Sequence, residues 1–126
     1  MEQPAALSPL QSIGAVLERL EATIVQRLSA DPDTSYVARL NARGLKKIAQ
    51  KVGEEGVETV IAALAEDDDA LVGEAADLVF HLIVLLQAKG LGLADVCAVL
   101  AEREGIGGLD EKAARGGGAE KAARKE

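Results

Sequence analysis

At 126 residues, 48% apolar but only 2% aromatic, the chain has the size of one small domain with a core of Ala, Leu, Val and Ile, which suits closely packed helices better than a sandwich or barrel. A net charge of −7 excludes the basic footprint of a nucleic-acid binder and disfavours an anionic membrane surface. Cys97 is the only cysteine, which excludes an internal disulfide or a multi-cysteine zinc site.

No basic region followed by an apolar stretch opens the chain, and the longest apolar run, Leu78 to Leu86, is too short to span a bilayer. These features predict a cytoplasmic protein. Ser8-Pro9-Leu10-Gln11 reads as a helix start, with Ser8 as N-cap, Pro9 in the first position and Gln11 as capping-box partner. Ile13, Val16, Leu17, Leu20, Ile24 and Leu28 continue it at helical spacing as far as the turn signal Asp31-Pro32-Asp33. Thr34 or Ser35 then caps a short helix over Tyr36, Val37 and Leu40, punctuated by Gly44.

A longer helix is predicted from about Leu45 to Ala65, stopping in the acidic stretch Glu66-Asp67-Asp68-Asp69. The aspartates there suit the N-cap of the next helix, about Ala70 to Lys89, which closes at Gly90. A last helix covers about Leu93 to Glu104. The reading is an all-α packed bundle of four to five helices spanning 8–104. Residues 105–126, with Gly116-Gly117-Gly118, form an extension expected to be mostly flexible. The acidic excess lies in the body and not in this extension.

Glu54, Glu55 and Glu58 lie on one predicted helix, and Glu74 and Asp77 on the next. Residues three apart share a helix face, and a short turn makes the helices antiparallel neighbours, so four carboxylates can converge between them. Acidic faces are commonly just solvated. The second helix, however, runs Ala75-Ala76-Asp77-Leu78-Val79-Phe80-His81-Leu82-Ile83-Val84-Leu85-Leu86, apolar almost all round, and is expected to be buried on most sides. No Lys or Arg occurs between Lys51 and Lys89 to pair with its acids. Buried carboxylates without partners cost several kcal/mol. A hard divalent cation resolves that cost: magnesium suits carboxylates, water and phosphate oxygens, and manganese also fits.

Lys47 and Lys51 project from the side of Glu54, Glu55 and Glu58, where ordinary Lys51–Glu55 pairing competes with a role in holding substrate phosphates. Gly53 and Gly56 fall toward the apolar side and read as close-approach packing positions. His81 fits either a group that orients a ligand or a satisfied core histidine. Cys97 follows the apolar stripe of the last helix and is expected in the core. Tyr36 and Phe80 are the only aromatics able to stack on a base, and both also fit simple packing. No Ser-His-Asp arrangement, Walker loop or dinucleotide fingerprint is present.

The segments Ser35-Tyr36-Val37-Ala38-Arg39-Leu40, Gln50-Lys51-Val52-Gly53-Glu54-Glu55-Gly56-Val57-Glu58 and Glu74-Ala75-Ala76-Asp77-Leu78 resemble the phosphoribosyl-ATP pyrophosphatase family of histidine biosynthesis. So do Phe80 to Leu86, Gly90-Leu91-Gly92-Leu93 and the stretch Gly105 to Arg115, so that the likeness covers most of residues 15–115. EExxE followed by ExxD is shared by the wider MazG-like all-α pyrophosphatase superfamily; the surrounding segments point to the one family. Two departures stand outside the acidic motif: Phe80 where a tyrosine is common, and Gly92 where a capping serine is common.

The resemblance implies a homodimer or higher homo-oligomer with its site near the subunit interface. It also implies a nucleotide substrate, 1-(5-phosphoribosyl)-ATP, cleaved to 1-(5-phosphoribosyl)-AMP and pyrophosphate. Carried over, Glu55, Glu58, Glu74 and Asp77 are the magnesium ligands, Glu54 is an outer-shell or water-positioning carboxylate, and Lys47 and Lys51 hold phosphates. Another all-α nucleotide pyrophosphohydrolase, or a non-catalytic helical assembly module, are the competing readings of the residues alone.

Overall fold

The computed structural model describes residues 6–8 and 11–105. Among them the chain forms five helices and no strand: α1 (Ile13–Leu28), α2 (Tyr36–Ala42), α3 (Leu45–Ala65), α4 (Asp68–Ala88) and α5 (Leu93–Glu104). Helices α1 to α4 belong to one compact unit that ends at Gly92, and α5 belongs to a second that begins at Leu93. The expected all-α architecture is present. The extension 106–126, and Pro9 with its predicted place in the first turn, lie outside the described residues.

Helix α1 begins one turn later than its sequence suggests. The Ser8 hydroxyl donates to Gln11 Oε1 (3.2 Å), and Gln11 N donates to the Ser8 carbonyl (2.8 Å), closing a tight turn on itself. Ser12 is the N-cap instead, its hydroxyl oxygen accepting from Ala15 N (3.2 Å). The helix stops at Leu28, ahead of a turn in which Asp31 Oδ1 accepts from Asp33 N (2.9 Å). Of the two candidate caps for α2, Ser35 serves: it is buried, and its oxygen accepts from Ala38 N (3.2 Å).

Gly44 joins α2 to α3 with φ 97° and ψ 167°, a region that only glycine adopts without strain. It accepts from Lys47 N and Ile48 N while its own N donates to Asn41, so one residue ends a helix and starts the next. Helix α3 has the predicted bounds. Helix α4 starts two residues earlier than expected, because Asp67 caps it through Ala70 N (2.8 Å) and Asp68 and Asp69 then lie in a first turn that favours negative charge. At its other end Gly90 (φ 75°) places Leu91 N on the Leu86 carbonyl (2.8 Å) and Gly90 N on that of Gln87 (3.0 Å), the double bond of a left-handed C-terminal cap.

Helices α3 and α4 make the most extensive pairing; α1 packs on α2 and α4, and α2 on α3. The core between them is small and aliphatic: Ile24, Val37, Ala38, Leu40, Ile48, Ala62, Ile83 and Val84 are buried. Three expectations fail here. Helix α4 is not buried on most sides, since Val72, Val79 and Leu82 are exposed; α3 and α1 are too few to wrap it. A methyl group at Gly53 or Gly56 would meet no neighbouring atom within 4 Å, so neither glycine serves close packing within the chain. Cys97 is exposed, as are Val99 and Leu100 on the same helix.

Ser35→Ala removes the cap of a seven-residue helix. We expect a loss of about 1 kcal/mol in urea unfolding; an unchanged midpoint would show that the hydroxyl does not hold α2.

Candidate functional site

The carboxylates predicted to converge come from the facing sides of α3 and α4. Glu55 sits at the helix interface with 6% of its surface exposed, Glu74 is half-buried opposite, and Glu58, one turn beyond Glu55, is exposed. One oxygen from each of these three lies within 4.8 Å of the other two. Glu55 Oε2 and Glu74 Oε2 are buried and accept no hydrogen bond. Buried carboxylate oxygens without donors carry a desolvation cost of several kcal/mol, and three carboxylates this close repel one another. Oxygens around a small divalent ion bound at about 2.1 Å lie within roughly 4 Å of each other, close to the spread observed. The donor set therefore has the chemistry of a divalent-cation site.

Asp77 is not part of this cluster. Its side chain is exposed one helical step beyond Glu74, while its carbonyl oxygen lies 2.7 Å from His81 Nδ1. Glu54 also points elsewhere: Gln50 Nε2 donates to its Oε1 (2.7 Å) and Lys51 Nζ to its Oε2 (3.1 Å). Those two bonds, the Gln50 amide foremost, hold the Glu54 carboxyl below the usual carboxylate range. Lys51 also reaches Glu55 Oε1 (3.5 Å), and chiefly its bond to Glu54 raises the ammonium above the ordinary lysine value. The expected Lys51–Glu55 pair is thus present, but as part of a three-residue arrangement that leaves Glu55 Oε2 unsatisfied.

His81 is a satisfied, buried histidine with a defined proton arrangement. A carbonyl only accepts, so Nδ1 carries the hydrogen toward Asp77, and in the neutral ring Nε2 accepts from the Tyr36 hydroxyl (2.7 Å). Tyr36, Phe80 and His81 pack together with ring centroids 5.3–6.2 Å apart, tying α2 to α4. Phe80 is half-buried in this packing, and Tyr36 is 43% exposed.

The outer side of Tyr36 opens on a pocket of ≈ 250 Å³ lined by Arg39, Leu40, Arg43, Lys47 and Lys51. Lys47 and Lys51 were legible as candidates; Arg39 and Arg43 were not. Their signal is the four-residue spacing of 39, 43, 47 and 51, which ordinarily loses its meaning across a helix break such as Gly44. Here the break retains a common side, and all four cations reach one pocket.

Tyr36→Phe strands the buried Nε2 of His81 without its donor. We expect about 1–3 kcal/mol of destabilisation in chemical unfolding; a variant as stable as wild type would mean that water replaces the phenol.

A family model described as phosphoribosyl-ATP pyrophosphohydrolase matches residues 17–104. A phosphoribosyl-ATP pyrophosphatase of Erythrobacter litoralis is 68% identical over 100 residues, covering 79% of this chain and 96% of that protein. Those of Novosphingobium aromaticivorans and Rhizorhabdus wittichii are 67% identical over 102 residues and 63% over 99, covering 81% and 79% of this chain and 95% and 93% of theirs.

Proposed function

The chain belongs to the phosphoribosyl-ATP pyrophosphohydrolase family, and we propose that it hydrolyses 1-(5-phosphoribosyl)-ATP between the α and β phosphates. The products are 1-(5-phosphoribosyl)-AMP and pyrophosphate, in the second step of histidine biosynthesis. The observation that carries this reading is the convergence of Glu55, Glu58 and Glu74 with two donorless buried oxygens, in a chain that matches the family from residue 17 to 104. The exposed, unpaired Cys97 suits the reducing cytoplasm proposed as its setting.

Glu55, Glu58 and Glu74 would hold magnesium, or manganese in its place; Asp77, one turn along α4 and outside the cluster, would have to turn its side chain inward to join them. Bound there, the ion would supply positive charge against the phosphate oxygens and the departing pyrophosphate. Water adds across the anhydride: its oxygen bonds to phosphorus, the bridging P–O bond breaks, and the bridging oxygen leaves with the pyrophosphate. Glu54 suits positioning that water better than deprotonating it. Both its oxygens already accept hydrogen bonds and its carboxyl is held below the usual range, whereas a good base titrates near the working pH. Lys51 neutralises one oxygen of Glu55 and presents its charge toward substrate phosphates, with Lys47 one turn away.

The test is pyrophosphate release from phosphoribosyl-ATP, with ATP and deoxynucleoside triphosphates as rivals, with and without magnesium. Magnesium-dependent release confined to phosphoribosyl-ATP is expected. Glu58→Gln is expected to lower turnover at least a hundredfold with helicity unchanged. Efficient release from the rivals would move the protein to the broader pyrophosphohydrolase class, and normal turnover by the variant would sink the cation site.

A homodimer or larger homo-oligomer is part of this proposal. Val57, Val60, Ile61 and Leu64 form an exposed stripe at helical spacing on α3, Leu64 with 83% of its surface free. A second apolar groove of ≈ 730 Å³ runs between α1 and α4, lined by residues such as Leu17, Leu20, Val72 and Val79. Contiguous apolar surface of this kind marks association. Val60→Glu is expected to shift the protein to lower mass in sedimentation; an unchanged mass would place the contact off this stripe.

A further inference from the structure

Of the four cations at the corner between α2 and α3, three have no carboxylate within ion-pair distance among the described residues, while Lys51 is paired with Glu54 and Glu55. No carboxylate lines their pocket. Of the four, Lys51 alone has an acidic partner within ion-pair distance among the described residues; Arg39 gives one N–H to the Pro32 carbonyl (3.0 Å). The side chains of Arg43 and Lys47 make no ion pair or hydrogen bond there. Three cations without a carboxylate partner, beside Lys51 whose charge is shared with Glu54 and Glu55, gather in one concavity and create a local positive potential that an anion relieves. Tyr36 adds no competing donor, because its hydroxyl hydrogen is directed to His81 Nε2.

Size and position narrow the anion. Pockets for whole drug-sized ligands run to roughly 300–1,000 Å³, so ≈ 250 Å³ suits one end of a nucleotide and not the whole. Of the two phosphate-bearing ends of phosphoribosyl-ATP, the triphosphate is the one continuous with the bond being cut. Lys51 belongs to the pocket and also contacts Glu55 of the acidic cluster, so the pocket adjoins that cluster. Resting on the function proposed above, we propose that this pocket receives the two terminal phosphates of the substrate. Arg39, Arg43 and Lys47 then hold the leaving pyrophosphate while the acidic cluster serves the anhydride. Guanidinium groups suit this task, since their paired N–H donors match phosphate oxygens.

The experiment measures binding of inorganic pyrophosphate and of ribose 5-phosphate by calorimetry in magnesium buffer, for wild type, Arg43→Ala and Arg43→Lys. Arg43 is exposed, so its removal leaves the core intact. Arg43→Ala is expected to weaken pyrophosphate about tenfold or more, Arg43→Lys to recover part of the loss, and ribose 5-phosphate to bind all three alike. Loss confined to ribose 5-phosphate would assign the pocket to the other end of the substrate and overturn the proposal. So would equal affinity of pyrophosphate for all three proteins, or no pyrophosphate binding by wild type. Because binding requires no turnover, Arg43-dependent pyrophosphate affinity in a protein that fails to cleave phosphoribosyl-ATP would sink the proposed activity and leave this pocket standing.

Discussion

The pairing of α3 with α4 places the Glu55 carboxylate inside the protein against Glu74, and much of the site depends on that burial. Lys51 reaches only one Glu55 oxygen, at 3.5 Å, and the other faces the acidic cluster without a donor. One long contact to one oxygen does not offset the desolvation cost of a buried carboxylate, which takes good geometry and hydrogen bonds to its remaining lone pairs. Two carboxylate oxygens are thus buried between the helices without a donor among the described residues, and the proposed cation site rests on them.

The corner at Gly44 supplies charge of the opposite sign beside that cluster. Its backbone conformation ends α2 and starts α3 within one residue, so that Arg39 and Arg43 share a concavity with Lys47 and Lys51. The partly buried hydrogen bond from Tyr36 to His81 and the aromatic packing around it tie α2 to α4, fixing this corner against the helix that carries Glu74. Lys51 stands where the two regions meet. An acidic region and a basic region thus adjoin across one lysine side chain, the juxtaposition on which the proposed handling of a linear polyphosphate rests.

Apolar surface tells a different part of the story. A four-helix unit of this length encloses few side chains completely, and strong hydrophobic residues on α1, α3 and α4 remain exposed. Gly53 lies on the same face of α3 as Val57, Val60 and Leu64, with open space where its side chain would be. The absence of a neighbour at this position leaves a strip of α3 backbone bare of side chains beside that apolar stripe, the feature on which the proposed association rests.

Local physics was legible in the sequence because it depends on neighbours along the chain. The bounds of α3 and α5, the capping role of Ser35 or its neighbour, the stop at Gly90 and the shared faces of Glu55 with Glu58 and Glu74 with Asp77 all follow from helical spacing and end chemistry. The resemblance in the flanking segments carried the family. What the sequence left undecided needed contacts between distant residues. Ser8 looked like a cap until its side chain met Gln11 instead of the backbone, and Cys97 looked like core until its face was left uncovered. Asp77 shares the face of Glu74 but stands off the cluster, while Arg39 and Arg43 join a pocket across a helix break. Periodicity assigns a residue to a side of its own helix; only tertiary packing decides what, if anything, lies opposite it.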